Sequence, residues 1–90
     1  MIKILIVDDE KAIGDLIEWN LSAAGYQCTT VCDGLEALDR IEAETYDLIL
    51  LDIMLPGASG YDIMEYIRPL AIPVIFITAK HEVRDRVKGL

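Results

Sequence analysis

Ile4-Leu5-Ile6-Val7-Asp8-Asp9-Glu10 and Leu48-Ile49-Leu50-Leu51-Asp52 decide the reading of this chain. Each is a short apolar run that breaks off in acid. A continuous run of this kind, without alternation, is what a strand buried on both faces of a parallel sheet requires. Neighbouring parallel strands end on the same side of their sheet, so the two runs would deliver Asp8, Asp9 and Asp52 to one crevice. Like charges held that close repel unless a cation lies between them. With no basic residue read as part of the cluster, the pattern points to a divalent metal site for Mg²⁺ (or Mn²⁺), with one acid left for chemistry.

Outward from these runs the period changes. Ile13, Leu16, Ile17, Leu21 and Ala24 form a helical stripe that Gly25 is placed to stop. Gln27 to Val31 reads as a strand rich in β-branched residues, and Cys28 lies in it four residues before Cys32. Asp33-Gly34-Leu35-Glu36 has the form of a capping box, opening a helix whose Ala37, Leu38 and Ile41 face inward. The third strand runs from Asp47 to Leu51, followed by a Pro56-Gly57 turn. A helix capped by Ser59 then carries Ile63, Met64 and Ile67. Pro73 admits a fourth strand, Val74 to Ile77, and Thr78 ends it. The tail from Glu82 to Leu90 has helical spacing. Strand and helix thus alternate four times, which predicts a parallel sheet with helices on both faces and right-handed crossovers. Ligands bind such sheets at the carboxyl ends of the strands, where strand order reverses.

Ninety residues suit one small domain with a thin stability margin. Charges interrupt every apolar run well short of the ~18–20 residues of a membrane helix, and only four apolar residues separate Lys3 from the acids, too few for a signal peptide. A cytoplasmic domain is expected. Sixteen acidic residues against eight basic ones give a formal net charge of −8. That balance speaks against direct nucleic-acid binding, which needs a basic face. Cys28 and Cys32 in one strand would stand about 13 Å apart, too far for a disulfide. Both are expected to be reduced and partly buried.

Three segments together resemble the receiver domain of a two-component response regulator: Ile4 to Glu10, Asp47 to Gly57 with Ser59-Gly60, and Pro73 to Ala79. The likeness runs from Met1 to Leu90, and the Ile53-Met54-Leu55-Pro56-Gly57 wording is similar to regulators with a winged-helix DNA-binding output domain. The resemblance implies a flavodoxin-like, doubly wound α/β sandwich of three layers with sheet order 2-1-3-4. It implies that Asp52 is the phosphoacceptor, taking a phosphoryl group from a sensor histidine kinase, and that Thr78 hydrogen-bonds that group and acts as a switch. Asp9 would bind Mg²⁺ directly and Asp8 through a water, with Asp52 and the Met54 carbonyl completing the protein ligands. Such a domain is a phosphoacceptor, not a turnover enzyme.

Receivers of this family continue beyond the segment present here, with a fifth strand carrying a Lys at its carboxyl end and then a fifth helix. As a receiver truncated over 1–90, the chain is expected to transfer phosphate poorly. It is also expected to self-associate, through the exposed edge of the fourth strand or by exchanged elements. Lys80, two residues beyond Thr78, is the only nearby candidate for the absent Lys, but its place in a strand-to-helix loop is expected to turn it to solvent. Two rivals stand beside this reading. One is an inert receiver fragment serving only as an assembly module. The other is a phosphohydrolase of the haloacid-dehalogenase type, but that class wants a second Asp two residues after the nucleophile, where Met54 stands.

Overall fold

The computed structural model describes residues 1–52 and 60–77. Among them, strand and helix alternate as β1 (Lys3–Val7), α1 (Lys11–Ala23), β2 (Gln27–Val31), α2 (Gly34–Ala43), β3 (Leu48–Asp52), α3 (Gly60–Ile67) and β4 (Val74–Ile77). The sheet is parallel throughout, in the order β2-β1-β3-β4. The expected third strand lies one residue later than the pattern placed it, so that Asp52 closes β3. Asp47 instead anchors to Lys3 twice, its backbone N–H donating to the Lys3 carbonyl (2.8 Å) and its Oδ2 accepting from the Lys3 N–H (2.8 Å). A short 3₁₀ turn, Arg68–Leu70, follows α3 and was not foreseen; Ala71 ends it in a left-handed conformation, φ 56°.

Side-chain alternation sorts the strands into two faces. Leu5, Val7, Ile49 and Leu51 join Ala37 and Ile41 of α2 and Ile63 and Ile67 of α3 in one apolar cluster. Leu38 and Met64, also expected to face inward, pack partly buried against it. On the other face α1 lies over β1 and β2, where Ile4 and Ile6 are buried. The layers are therefore α1, the sheet, and the α2–α3 pair. Beyond α1, Ile4, Leu21, Leu48, Leu50 and Ile75 line an apolar groove of about 490 Å³.

The helix ends follow local chemistry. Asp33 caps α2, its Oδ1 accepting from the Glu36 N–H at 2.7 Å. Gly25 closes the α1 turn at φ 100°, a conformation that disfavours any side chain. The α1 stripe differs from its reading. Leu16 is 55% exposed, whereas Gly14 is the buried residue of the helix. A Cβ at Gly14 would lie 2.7 Å from the Thr30 Cγ2, so the helix approaches β2 at a point where only hydrogen fits. Both cysteines are free, as expected, but Cys32 is exposed because it falls in the bend after β2.

Candidate metal centre

Val7 pairs with Leu51 across β1 and β3, so the next residues along, Asp8 and Asp52, arrive side by side at the carboxyl edge. Strand order reverses between these two strands, since β2 lies on one side of β1 and β3 on the other. That is where open parallel sheets form their binding crevice. Asp8, Asp9 and Asp52 each offer a carboxylate oxygen there, all within 4.8 Å of one another. Asp8 and Asp52 are only 2% and 5% exposed, whereas Asp9 is open to solvent.

Backbone contacts fix this arrangement. The Asp8 N–H donates to the Val31 carbonyl at 3.1 Å, tying the end of β1 to the end of β2. The Glu10 N–H donates to Asp8 Oδ1 at 2.9 Å, which holds that carboxylate against the start of α1. Glu10 makes no side-chain cap of its own; its carbonyl begins the helix by accepting from Ile13 and Gly14. Trp19 is 74% exposed on α1.

The donor set fits a hard divalent cation. Magnesium holds oxygens at about 2.1 Å in an octahedron, so opposite ligands stand about 4.2 Å apart. A spread of 4.8 Å suits acids gathered about one small cation. All-oxygen ligation suits Mg²⁺ or Mn²⁺ and not a soft metal. Burying two carboxylates beside a third is costly without compensation, and a divalent cation in the crevice would contribute it. Met54, Thr78 and Lys80 lie outside the described residues; Ile77, which precedes Thr78, pairs with Asp52.

Lys11 received no role from the sequence, although it stands two residues after Asp9. It opens α1 and its Nζ lies 2.7 Å from Asp15 Oδ2. The Asp15 carboxylate holds the Lys11 ammonium above its ordinary pKa.

The family model for the response regulator receiver domain matches residues 4–90. The chain belongs to that family. This receiver is 46% identical over 90 residues to the alkaline phosphatase synthesis transcriptional regulatory protein PhoP of Bacillus subtilis, covering 98% of this chain and 38% of that protein. It is likewise 46% identical over 89 residues to the transcriptional activator protein IrlR of Burkholderia pseudomallei, covering 98% and 39%. The receiver thus spans about two fifths of the length of these curated relatives. Among solved structures, the Francisella response regulator 1452 receiver domain superposes with a TM-score of 0.83 at 31% identity, covering 99% of this chain and 75% of that one. The Thermotoga maritima response regulator TrrA, solved in complex with Mg²⁺ and BeF, gives 0.78 at 38% identity, covering 94% and 76%. Receiver domains are phosphoacceptors that bind a divalent cation at an acidic pocket and interact with histidine kinases, and the cluster of Asp8, Asp9 and Asp52 is an acidic pocket of that kind. Among the described residues no helix is long and apolar enough to cross a membrane.

Proposed function

We propose that Asp52 accepts a phosphoryl group from the phosphohistidine of a sensor histidine kinase, while Asp8 and Asp9 hold Mg²⁺ (or Mn²⁺) beside it. The observation that carries this reading is the meeting of these three carboxylates within 4.8 Å at the point where strand order reverses. In the transfer, an Asp52 carboxylate oxygen forms a bond to phosphorus as the phosphorus–nitrogen bond breaks, and the electron pair leaves on the imidazole. Such transfers depend on positioning and charge neutralisation more than on a basic nucleophile. A divalent ion held by these acids would supply that neutralisation. Asp8 keeps one oxygen on the Glu10 N–H, which favours its reaching the metal through a water, with Asp9 as the direct ligand. The Met54 carbonyl, two residues past Asp52, is assigned as a further ligand. Thr78, next after the Ile77 that pairs with Asp52, is assigned to hydrogen-bond the phosphoryl group and report its arrival.

PhoP and IrlR are transcriptional regulators, so the output assigned to this receiver is transcriptional and its location cytoplasmic. Self-association belongs to the same reading. It is assigned to β4, which is an edge strand among the described residues and has Ile75 55% exposed.

The decisive experiment is labelling with radioactive acetyl phosphate in Mg²⁺, read by mass and by autoradiography. Wild type is expected to take one phosphoryl group, and Asp52→Asn none. Absence of label on wild type at saturating donor and Mg²⁺ would leave the inert assembly module as the correct reading.

A further inference from the structure

Four basic residues fall among the described ones: Lys3, Lys11, Arg40 and Arg68. Three belong to the amino edge of the sheet. Lys3 begins β1 and contacts Glu44 at 3.4 Å, and Arg40, near the end of α2, reaches the same carboxylate at 3.9 Å. Arg68 follows α3 and pairs with Glu65 at 2.8 Å. Helices in this fold run back from the carboxyl edge, so the last turns of α2 and α3 lie at the far end from the acids. Lys11 is different. It is the first residue of α1, and its α-carbon is two peptide units from that of Asp9, at most about 7.6 Å. Its ammonium is drawn along the helix to Asp15, in a pair whose side chains are 76% and 53% exposed. A pair so exposed is weak and opens readily. Among the described residues, one basic side chain is therefore rooted at the carboxyl edge, on a flexible tether beside a crevice lined by three carboxylates.

We propose that Lys11, positioned by Asp15, sets how strongly the crevice draws in charge. It weakens the hold on the divalent cation and strengthens capture of an anionic phosphodonor. The donor half rests on the phosphoacceptor reading of Asp52; the cation half does not. Coulomb's law across roughly 9 Å of water-like medium makes each effect about two- to five-fold, fading as salt shortens the screening length. Lys11 is a positioning and steering residue; it forms no bond in the transfer. The opposite signs distinguish this from a structural role, since a variant that merely loosened α1 would impair cation binding and donor capture together.

The test uses Lys11→Gln, Lys11→Arg and Asp15→Asn at low ionic strength. Calorimetry measures Mg²⁺ affinity, and initial rates of acetyl phosphate labelling give KM and the maximal rate separately. Lys11→Gln is expected to tighten Mg²⁺ binding and raise the donor KM, each about two- to five-fold, with the maximal rate unchanged. Asp15→Asn should move both in the reverse direction, and Lys11→Arg should restore wild-type values. Arg68→Gln removes the same charge at the opposite edge and should move neither. Unchanged Mg²⁺ affinity in Lys11→Gln, or a loss of affinity together with a raised KM, overturns the proposal. If wild type takes no label, the phosphoacceptor reading fails, and the Mg²⁺ affinities alone decide the role of Lys11.

Discussion

Gly14 shows how one missing methyl group sets the distance between a helix and a strand. Alanine normally favours a helix over glycine by about 1 kcal/mol. Here the added carbon would meet the Thr30 Cγ2 at 2.7 Å. Thr30 has little freedom to yield, because a β-branched side chain is stiff at χ1 and its hydroxyl donates to the half-buried Glu18 carboxylate. Overpacking then outweighs propensity. Gly14→Ala is expected to lose about 1–2 kcal/mol in urea unfolding, and adding Thr30→Ser, which deletes the methyl and keeps the hydroxyl, should recover most of it. A stabilised single variant would show that α1 can slide on β2. Glu44 makes a second residue-scale case. The Tyr46 hydroxyl donates to its Oε2 at 3.1 Å and the Lys3 ammonium stands 3.4 Å away. The Tyr46 hydrogen bond first, and then Lys3, hold the Glu44 carboxyl below its ordinary pKa. A depressed carboxylate stabilises the fold above its unfolded-state pKa and ceases to do so as pH falls through its folded value. Glu44→Gln should therefore melt below wild type at neutral pH, and the two should converge as the pH falls through the depressed folded-state value. A gap that persisted once the carboxyl is fully protonated would assign the effect to packing.

The two helices that flank the site begin by different means. Asp33 caps α2 with its own side chain, and Glu36 occupies the first turn, where the helix dipole favours an acid. Replacing Asp33 by Ala should cost about 1 kcal/mol, seen as a Tm lower by about 4–8 °C for a domain of this size. In α1 the N-cap residue Glu10 makes no side-chain cap, and its backbone N–H is taken by the Asp8 carboxylate. The start of α1 thus depends on an acid of the candidate metal centre. The strands bring chemistry through register: Val7 opposite Leu51 sets Asp8 against Asp52, and a slip of one residue would turn every side chain of β3 to the other face. Element and site are specified by the same pairing.

At the scale of the whole molecule, the described residues cover the two faces of the sheet unevenly. The α2–α3 face holds the closed apolar cluster, while the α1 face leaves the groove floored by Ile4, Leu48 and Leu50. Beside it Ile75 is 55% and Phe76 37% exposed on β4. Unpaired strand edges recruit other chains, but a net charge of −8 on each copy opposes their meeting. Salt should tip that balance by screening the repulsion. Light scattering at tens of micromolar is expected to show dimers or larger species whose fraction grows with ionic strength, and Ile75→Lys should abolish them. A folded monomer at every salt concentration would end the self-association reading.

Periodicity and punctuation in the sequence determined the alternation of strands and helices, the parallel sheet, the Asp33 cap and the gathering of Asp8, Asp9 and Asp52 at one edge. These are legible because they depend on neighbours a few residues away and on the rule that parallel strands end together. The family motifs added the sheet order and the roles assigned to the acids. Tertiary structure alone decided that Gly14 and not Leu16 is buried, since that depends on Thr30 of another element. It also decided that β3 ends on Asp52 and that Lys11 stands apart from the other described cations. Such facts rest on distances between segments remote in the chain, which a local pattern does not encode. The sequence placed the acids; the register between β1 and β3 brought them to within 4.8 Å, and with that made them a site.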